Sequence, residues 1–174
     1  MQNDNKQQDF SSRAGTVMTA IAWLLFLAIL FGMFEYLVSN RNNPNQNIAT
    51  TLNGAQKEIV LHRNPHGHYI ANGTINNYEV VFLLDTGATD IAIPESIADN
   101  IGLLKGHKIK IKTANGNATA YQTKLDSATI GEIIRYDLNA TILTNITGEE
   151  VLLGMSFLKH FEIIQKGKTL TIRQ

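Results

Sequence analysis

The sequence predicts a mainly β domain with one or two short helices, preceded by one transmembrane helix. Three observations carry that expectation. No charged residue occurs between Ala14 and Phe34. From Lys57 onward, short alternating apolar stretches are separated by Gly and Asn turns, the pattern of strands. Helix signals within that region are confined to Pro94–Gly102, with Pro near the start and Gly beyond the end, and to a helical turn over Met155–His160.

The chain divides into a cytoplasmic tail (residues 1–15), a transmembrane helix (16–38), a flexible tether (39–56) and a globular domain (57–174). Val17 to Phe34 reads VMTAIAWLLFLAILFGMF, close to the roughly 20 residues that cross about 30 Å of hydrocarbon. A cleaved signal has a core of about 7–15 residues and a small-x-small cleavage site. This run is longer and leaves through Glu35-Tyr36-Leu37-Val38-Ser39-Asn40 without that pattern, so a retained anchor is expected. Lys6 and Arg13 precede the span and Arg41 follows it. The basic bias keeps the N-terminus in the cytoplasm, with the C-terminal domain periplasmic or otherwise outside a cell (inner) membrane. The Asn- and Gln-rich stretch behind the span has little that could form a core and reads as the tether.

Within the domain, Glu58–His62 and Tyr69–Ile75 read as strands, and Asn76-Asn77 turns the chain into Tyr78–Leu84. That third strand carries apolar residues on both faces, as a buried central strand would. Ile91–Ile93 precedes the short helix. Ile109–Thr113 and Ala118–Leu125 flank Asn115-Gly116, a hairpin signal. Ser127–Ile130 and Ile133–Leu143 are joined by Gly131-Glu132. Val151–Leu153 is a further strand, and Glu162–Ile172 forms a hairpin through Lys166-Gly167-Lys168.

Composition removes several functions. Fifteen basic and 15 acidic residues balance, which argues against a nucleic-acid binder. The absence of cysteine excludes disulfide scaffolds, thiol nucleophiles and cysteine metal sites. His62, His66 and His68 flank Pro65 and Gly67, which prevent the helix of a His-Glu-x-x-His zinc site, so no metal site is expected. Gly167-Lys168-Thr169 resembles the end of a phosphate loop, but Glu162 stands where its first Gly is required. Lys105, Lys108, Lys110 and Lys112 look like a basic run, but three of them alternate as one solvated strand face would.

Chemistry concentrates at Val81-Phe82-Leu83-Leu84-Asp85-Thr86-Gly87-Ala88-Thr89-Asp90. A carboxylate ends an apolar strand directly before a Thr-Gly turn, where Gly87 permits a sharp bend and a close approach. All three residue types favour turns, so Asp-Thr-Gly alone could be merely a turn. Downstream, Leu152-Leu153-Gly154 precedes a short helix and could lay a strand tightly against the Asp-bearing loop.

Together, Asp85-Thr86-Gly87-Ala88, the Thr113-Ala114-Asn115-Gly116 hairpin and Leu152-Leu153-Gly154 resemble the retropepsin-like aspartic proteases, most closely their membrane-anchored bacterial members. The resemblance covers roughly Glu58 to Arg173 and implies a single-lobe, retropepsin-like acid-protease fold. It implies an aspartic endopeptidase acting on protein or peptide substrates, needing no cofactor. Only one Asp-Thr-Gly is present, so the site would form in a homodimer. Two carboxyls about 3 Å apart cannot both ionise and share one proton, as aspartic proteases do generally. By the resemblance, Asp85, Thr86 and Gly87 form the catalytic loop, with Thr86 bracing it across the dimer. Ala88, Asp90, Asn115 and Gly116 would meet substrate, the last two from a closing hairpin, and Leu152, Leu153 and Gly154 would support the loop. In that family the segments corresponding to Glu58–His62 and Thr169–Arg173 interleave between subunits. The alternative is a non-catalytic dimerisation or peptide-binding module on the same fold. An aspartyl-phosphate enzyme is disfavoured, because no helix terminus stands ready to hold phosphate.

Overall fold

The computed structural model describes residues 4–113, 116–144 and 148–174, which fall into two units divided after Asn40. The first is a helix, α1 (Asp4–Asn42). Its Gly15–Asn42 stretch, with a mean hydropathy of 2.4 in its most apolar window, is long and apolar enough to cross a membrane. Met18, Leu24, Ile29 and Phe31 are all exposed on it.

The second unit, Arg41–Gln174, is built on two sheets. In chain order its elements are β1 (Thr50–Asn53), β2 (Gln56–His62), β3 (Ile70–Ile75), β4 (Tyr78–Leu84), β5 (Ile91–Pro94), α2 (Glu95–Ile101), β6 (Lys108–Thr113), β7 (Gly116–Ile130), β8 (Ile133–Leu143), β9 (Glu150–Leu153), α3 (Met155–Leu158), β10 (Glu162–Lys166) and β11 (Thr169–Arg173). Seven strands form one sheet in the order β3-β4-β9-β5-β8-β7-β6, with β3 also pairing β7. The second sheet is antiparallel, in the order β1-β2-β11-β10. Phe82, Ile142, Leu153 and Phe157 from the larger sheet and its helix join Ile59 and Ile172 from the smaller one in a single core. This is the mainly β, retropepsin-like single lobe that the sequence leads one to expect.

Local chemistry accounts for the turns. Asn76 and Asn77 both have positive φ (49° and 67°), the geometry that joins β3 tightly to β4. Gly102, at φ 79°, closes α2 by donating its amide to the helix's last carbonyls.

Three expectations need correction. Residues 39–56 are not a flexible tether, and the domain does not begin at Lys57. Helix α1 continues to Asn42, and the buried Asn45 then docks on the sheets. Its amide nitrogen donates to His62 O (2.9 Å) and Ile70 O (2.6 Å), while its side-chain oxygen accepts from the His62 amide (2.6 Å). Asn43 bonds Asn72 side chain to side chain, and β1 then pairs β2. Polar residues that cannot build a core can still saturate the polar edge of one. Second, Glu58–His62 and Thr169–Arg173, expected from the resemblance to interleave between subunits, pair with each other as β2 and β11 within one chain. Third, β7 runs unbroken through Leu125–Ser127. The pairing passes over Asp126 and Asp137 together, with Asp137 at φ 51°, and resumes in the same register, so the ladder is interrupted at one position without ending.

Candidate active site

The site begins where β4 ends. This strand lies between β3 and β9, with Val80 and Phe82 buried on one face and Val81 and Leu83 half-buried on the other. The parallel pairing of Leu84 with Leu153 extends one residue further, as the Asp85 amide donates to Leu153 O (3.2 Å). Asp85 is therefore delivered half-buried at the strand end. The chain then turns: the Gly87 amide donates to Asp85 Oδ1 (2.8 Å), and the Ala88 amide to Asp85 O (3.2 Å). One carboxylate oxygen is thus oriented by its own loop. No ion pair involves Asp85 among the described residues.

The far side of the loop is clamped by α3. Met155 donates its amide to Ala88 O (2.8 Å), and Ser156 donates its amide to Thr89 O (2.8 Å). The buried Ser156 Oγ in turn accepts from the Ile91 amide (3.1 Å), where β5 begins. Gly154 makes this clamp possible. A Cβ on it would stand 2.7 Å from Ala88 O and closer still to Asp90 O, both backbone atoms. Gly154 itself is extended (φ −90°, ψ −170°), so closeness rather than conformation demands glycine.

The structure therefore brings Asp85, Thr86, Gly87, Ala88 and Asp90 together with Leu153 and Gly154, while Leu152 pairs Ala92 of β5. Thr86 and Gly87 are exposed. Asp90 lines a groove of about 600 Å³ with Lys105, His107 and Lys124. A second groove, of about 1140 Å³, runs past Ile48, Tyr78, Val80 and Thr129 and leaves Asp85 outside. Gly116, at φ 110°, closes the β6–β7 hairpin opposite Thr113, whereas Asn115 lies outside the described residues. Sequence reasoning did not single out Ser156, Asn45 or Asn64. Asn64 is buried and its Oδ1 accepts from the His66 and His68 amides, which makes the histidine segment a tight turn. An asparagine that saturates backbone looks like any other asparagine, so no signal marked Asn45 or Asn64.

The loop, its clamp and their order along the chain coincide with a family match. Residues 71–160 fit the model described as "gag-polyprotein putative aspartyl protease". The chain belongs to this retroviral-type aspartyl protease family. A solved retropepsin-like aspartic protease from Rickettsia conorii is 27% identical, superposes with a TM-score of 0.55, and is matched over 73% of this chain and 94% of its own. Among uncharacterized curated proteins, one from the cobV 5′ region of Sinorhizobium is 31% identical over 88% of this chain and 71% of its own length. Another, from Rickettsia prowazekii, is 34% identical over 66% of this chain, which spans half of that protein.

Proposed function

We propose that this chain is a membrane-anchored aspartic endopeptidase whose site forms where the Asp85 carboxyls of two copies meet. The observation that carries this reading is the state of Asp85. It sits at the end of an interior strand on a loop fixed from both sides, with one oxygen oriented by Gly87 and no salt bridge among the described residues. A lone carboxylate so rigidly presented lacks only its counterpart. With two such carboxyls about 3 Å apart, mutual repulsion keeps one protonated. The ionised member takes a proton from a bound water, which attacks the peptide carbonyl. The protonated member polarises that carbonyl, and a carboxyl then protonates the leaving amine. In this reading Thr86 braces the paired loops, Ala88 and Asp90 meet substrate backbone, and the hairpin carrying Asn115 and Gly116 closes over it.

Helix α1 is the anchor in this proposal, and the Lys6 and Arg13 bias places the β unit outside the cytoplasm. That α1 continues unbroken to Asn42 supports a retained span. The deciding experiment compares the full chain with Asp85→Asn in detergent, against a mixed peptide library. Cleavage is expected from the first alone, with equal thermal unfolding for both. Equal cleavage by a pure variant would overturn the reading. A well-folded dimer that binds peptides without cutting them would favour the non-catalytic module.

A further inference from the structure

The chain is neutral as a whole, but its charge is not evenly spread. Arg41 stands exposed on the last turn of α1, Arg63 on the turn between β2 and β3, and Lys166 and Lys168 at the hairpin between β10 and β11. No Asp or Glu occurs in residues 39–48, 62–68 or 166–168. Glu162, on the same hairpin as Lys166, is taken by Arg173 (2.9 Å). None of the four cations enters an ion pair among the described residues.

Hydrogen bonds gather these segments at one place. The buried Asn64 donates its side-chain amide to Asn42 O (3.0 Å), next to Arg41 in the chain. The Arg63 amide donates to Lys168 O (2.8 Å), which ties the β10–β11 hairpin to the same turn. Arg63 Nε donates to Gly67 O (2.7 Å), so its guanidinium is held in place. Cations held near one another without an acid among them repel, and an anion from outside relieves that repulsion.

Chain length says where that anion comes from. Asn42 lies four residues beyond Val38, and α1 is helical to Asn42, a rise of about 6 Å past the end of the apolar run. The headgroup layer on each side of a bilayer is about 5–7 Å deep. When α1 spans a membrane, Asn42 O therefore lies at headgroup level, with Asn64, Arg63 and Lys168 tied to it.

We propose that Arg41, Arg63, Lys166 and Lys168 form a docking surface for anionic lipid headgroups of the membrane that α1 crosses. The proposal rests on the reading of α1 as a retained anchor. A lipid phosphate accepts charge-assisted hydrogen bonds from guanidinium and ammonium groups alike, and each cation near an anionic surface strengthens the attraction about fivefold.

The chain has no cysteine, so His66→Cys supplies a unique attachment point for a fluorophore on this turn. His66 bonds Asn64 through its backbone amide, which the substitution keeps. The full chain so labelled is placed in phosphatidylcholine discs holding a trace of nitroxide-tailed lipid, either phosphatidylglycerol or phosphatidylcholine. The phosphatidylglycerol probe is expected to quench about tenfold more efficiently than the phosphatidylcholine probe. Lys166→Gln with Lys168→Gln should bring that ratio close to one without changing thermal unfolding, and so should about 1 M NaCl. Lys166→Arg with Lys168→Arg should keep it, because the charge is retained. A ratio close to one with all four cations present, or a ratio indifferent to the two glutamines, would overturn the proposal. Loss of the preference on adding millimolar inorganic phosphate at constant ionic strength would assign the cluster to a free anion and overturn the lipid assignment. A chain that elutes apart from the discs contradicts the anchor reading and removes this proposal with it. A disc-borne chain without the preference removes the lipid contact alone.

Discussion

Substituting alanine at Gly154 tests whether the Asp85 loop is held by closeness of backbone. The added methyl would stand 2.7 Å from Ala88 O and nearer to Asp90 O. An ordinary carbon–oxygen contact is about 3.3 Å, so the loop or β9 must retreat by the better part of an ångström. Neither obstacle is a flexible side chain that could swing aside. Inserting a methyl into tight packing costs about 1–3 kcal/mol, and two backbone obstacles place this site at the upper end. At about 4 °C per kcal/mol for a domain of this size, the melting temperature should fall by about 12 °C. A displacement approaching 1 Å at a positioned catalytic group should also lower cleavage about 100-fold. Differential scanning calorimetry and peptide cleavage, run on the same preparation, read both effects. A Gly154→Ala protein with unchanged melting and unchanged cleavage would refute the claim that this contact positions Asp85.

Asn45→Ala should lower stability by about 3 kcal/mol, since it removes three hydrogen bonds of a buried side chain, to the His62 backbone and to the buried Ile70 carbonyl. Chemical denaturation of the full chain checks this, and a loss below about 0.5 kcal/mol would return residues 43–56 to the status of a loose linker. His160 should titrate below its ordinary value, because desolvation first, then Arg135 and Lys159, disfavour its charged form. An NMR titration should show its midpoint rising in Arg135→Gln, and a fall would contradict that account. Reporter fusions after Gln174 should be active outside the cytoplasm, and a fusion active only within it would reverse the proposed topology.

Much of the fold was legible because the signals were local. An apolar run on both faces located β4, the paired asparagines located its turn, and Pro94 with Gly102 bracketed α2. The Asp-Thr-Gly loop and the Leu-Leu-Gly strand were readable as motifs, and their approach could be anticipated from Gly154 alone. What escaped was decided by tertiary partners. The juxtamembrane asparagines look like linker composition, yet Asn45 finds unpaired backbone at His62 and Ile70 and becomes buried. Likewise Glu58–His62 and Thr169–Arg173 alternate as edge strands do, and nothing in either predicts that each covers the other. Ser156 carries no pattern at all. Its role exists only because α3 brings its hydroxyl to the Ile91 amide.

The central claim is that one active site needs Asp85 from two chains. Mixing tests it most directly: full-length wild type is allowed to re-equilibrate in detergent with increasing Asp85→Asn protein, and cleavage per wild-type chain is recorded. If two Asp85 carboxyls are required, every mixed dimer is inactive, and activity per wild-type chain falls to about half at an equal mixture and keeps falling in proportion to the wild-type fraction. Activity per wild-type chain that stays constant at every ratio would contradict the shared site.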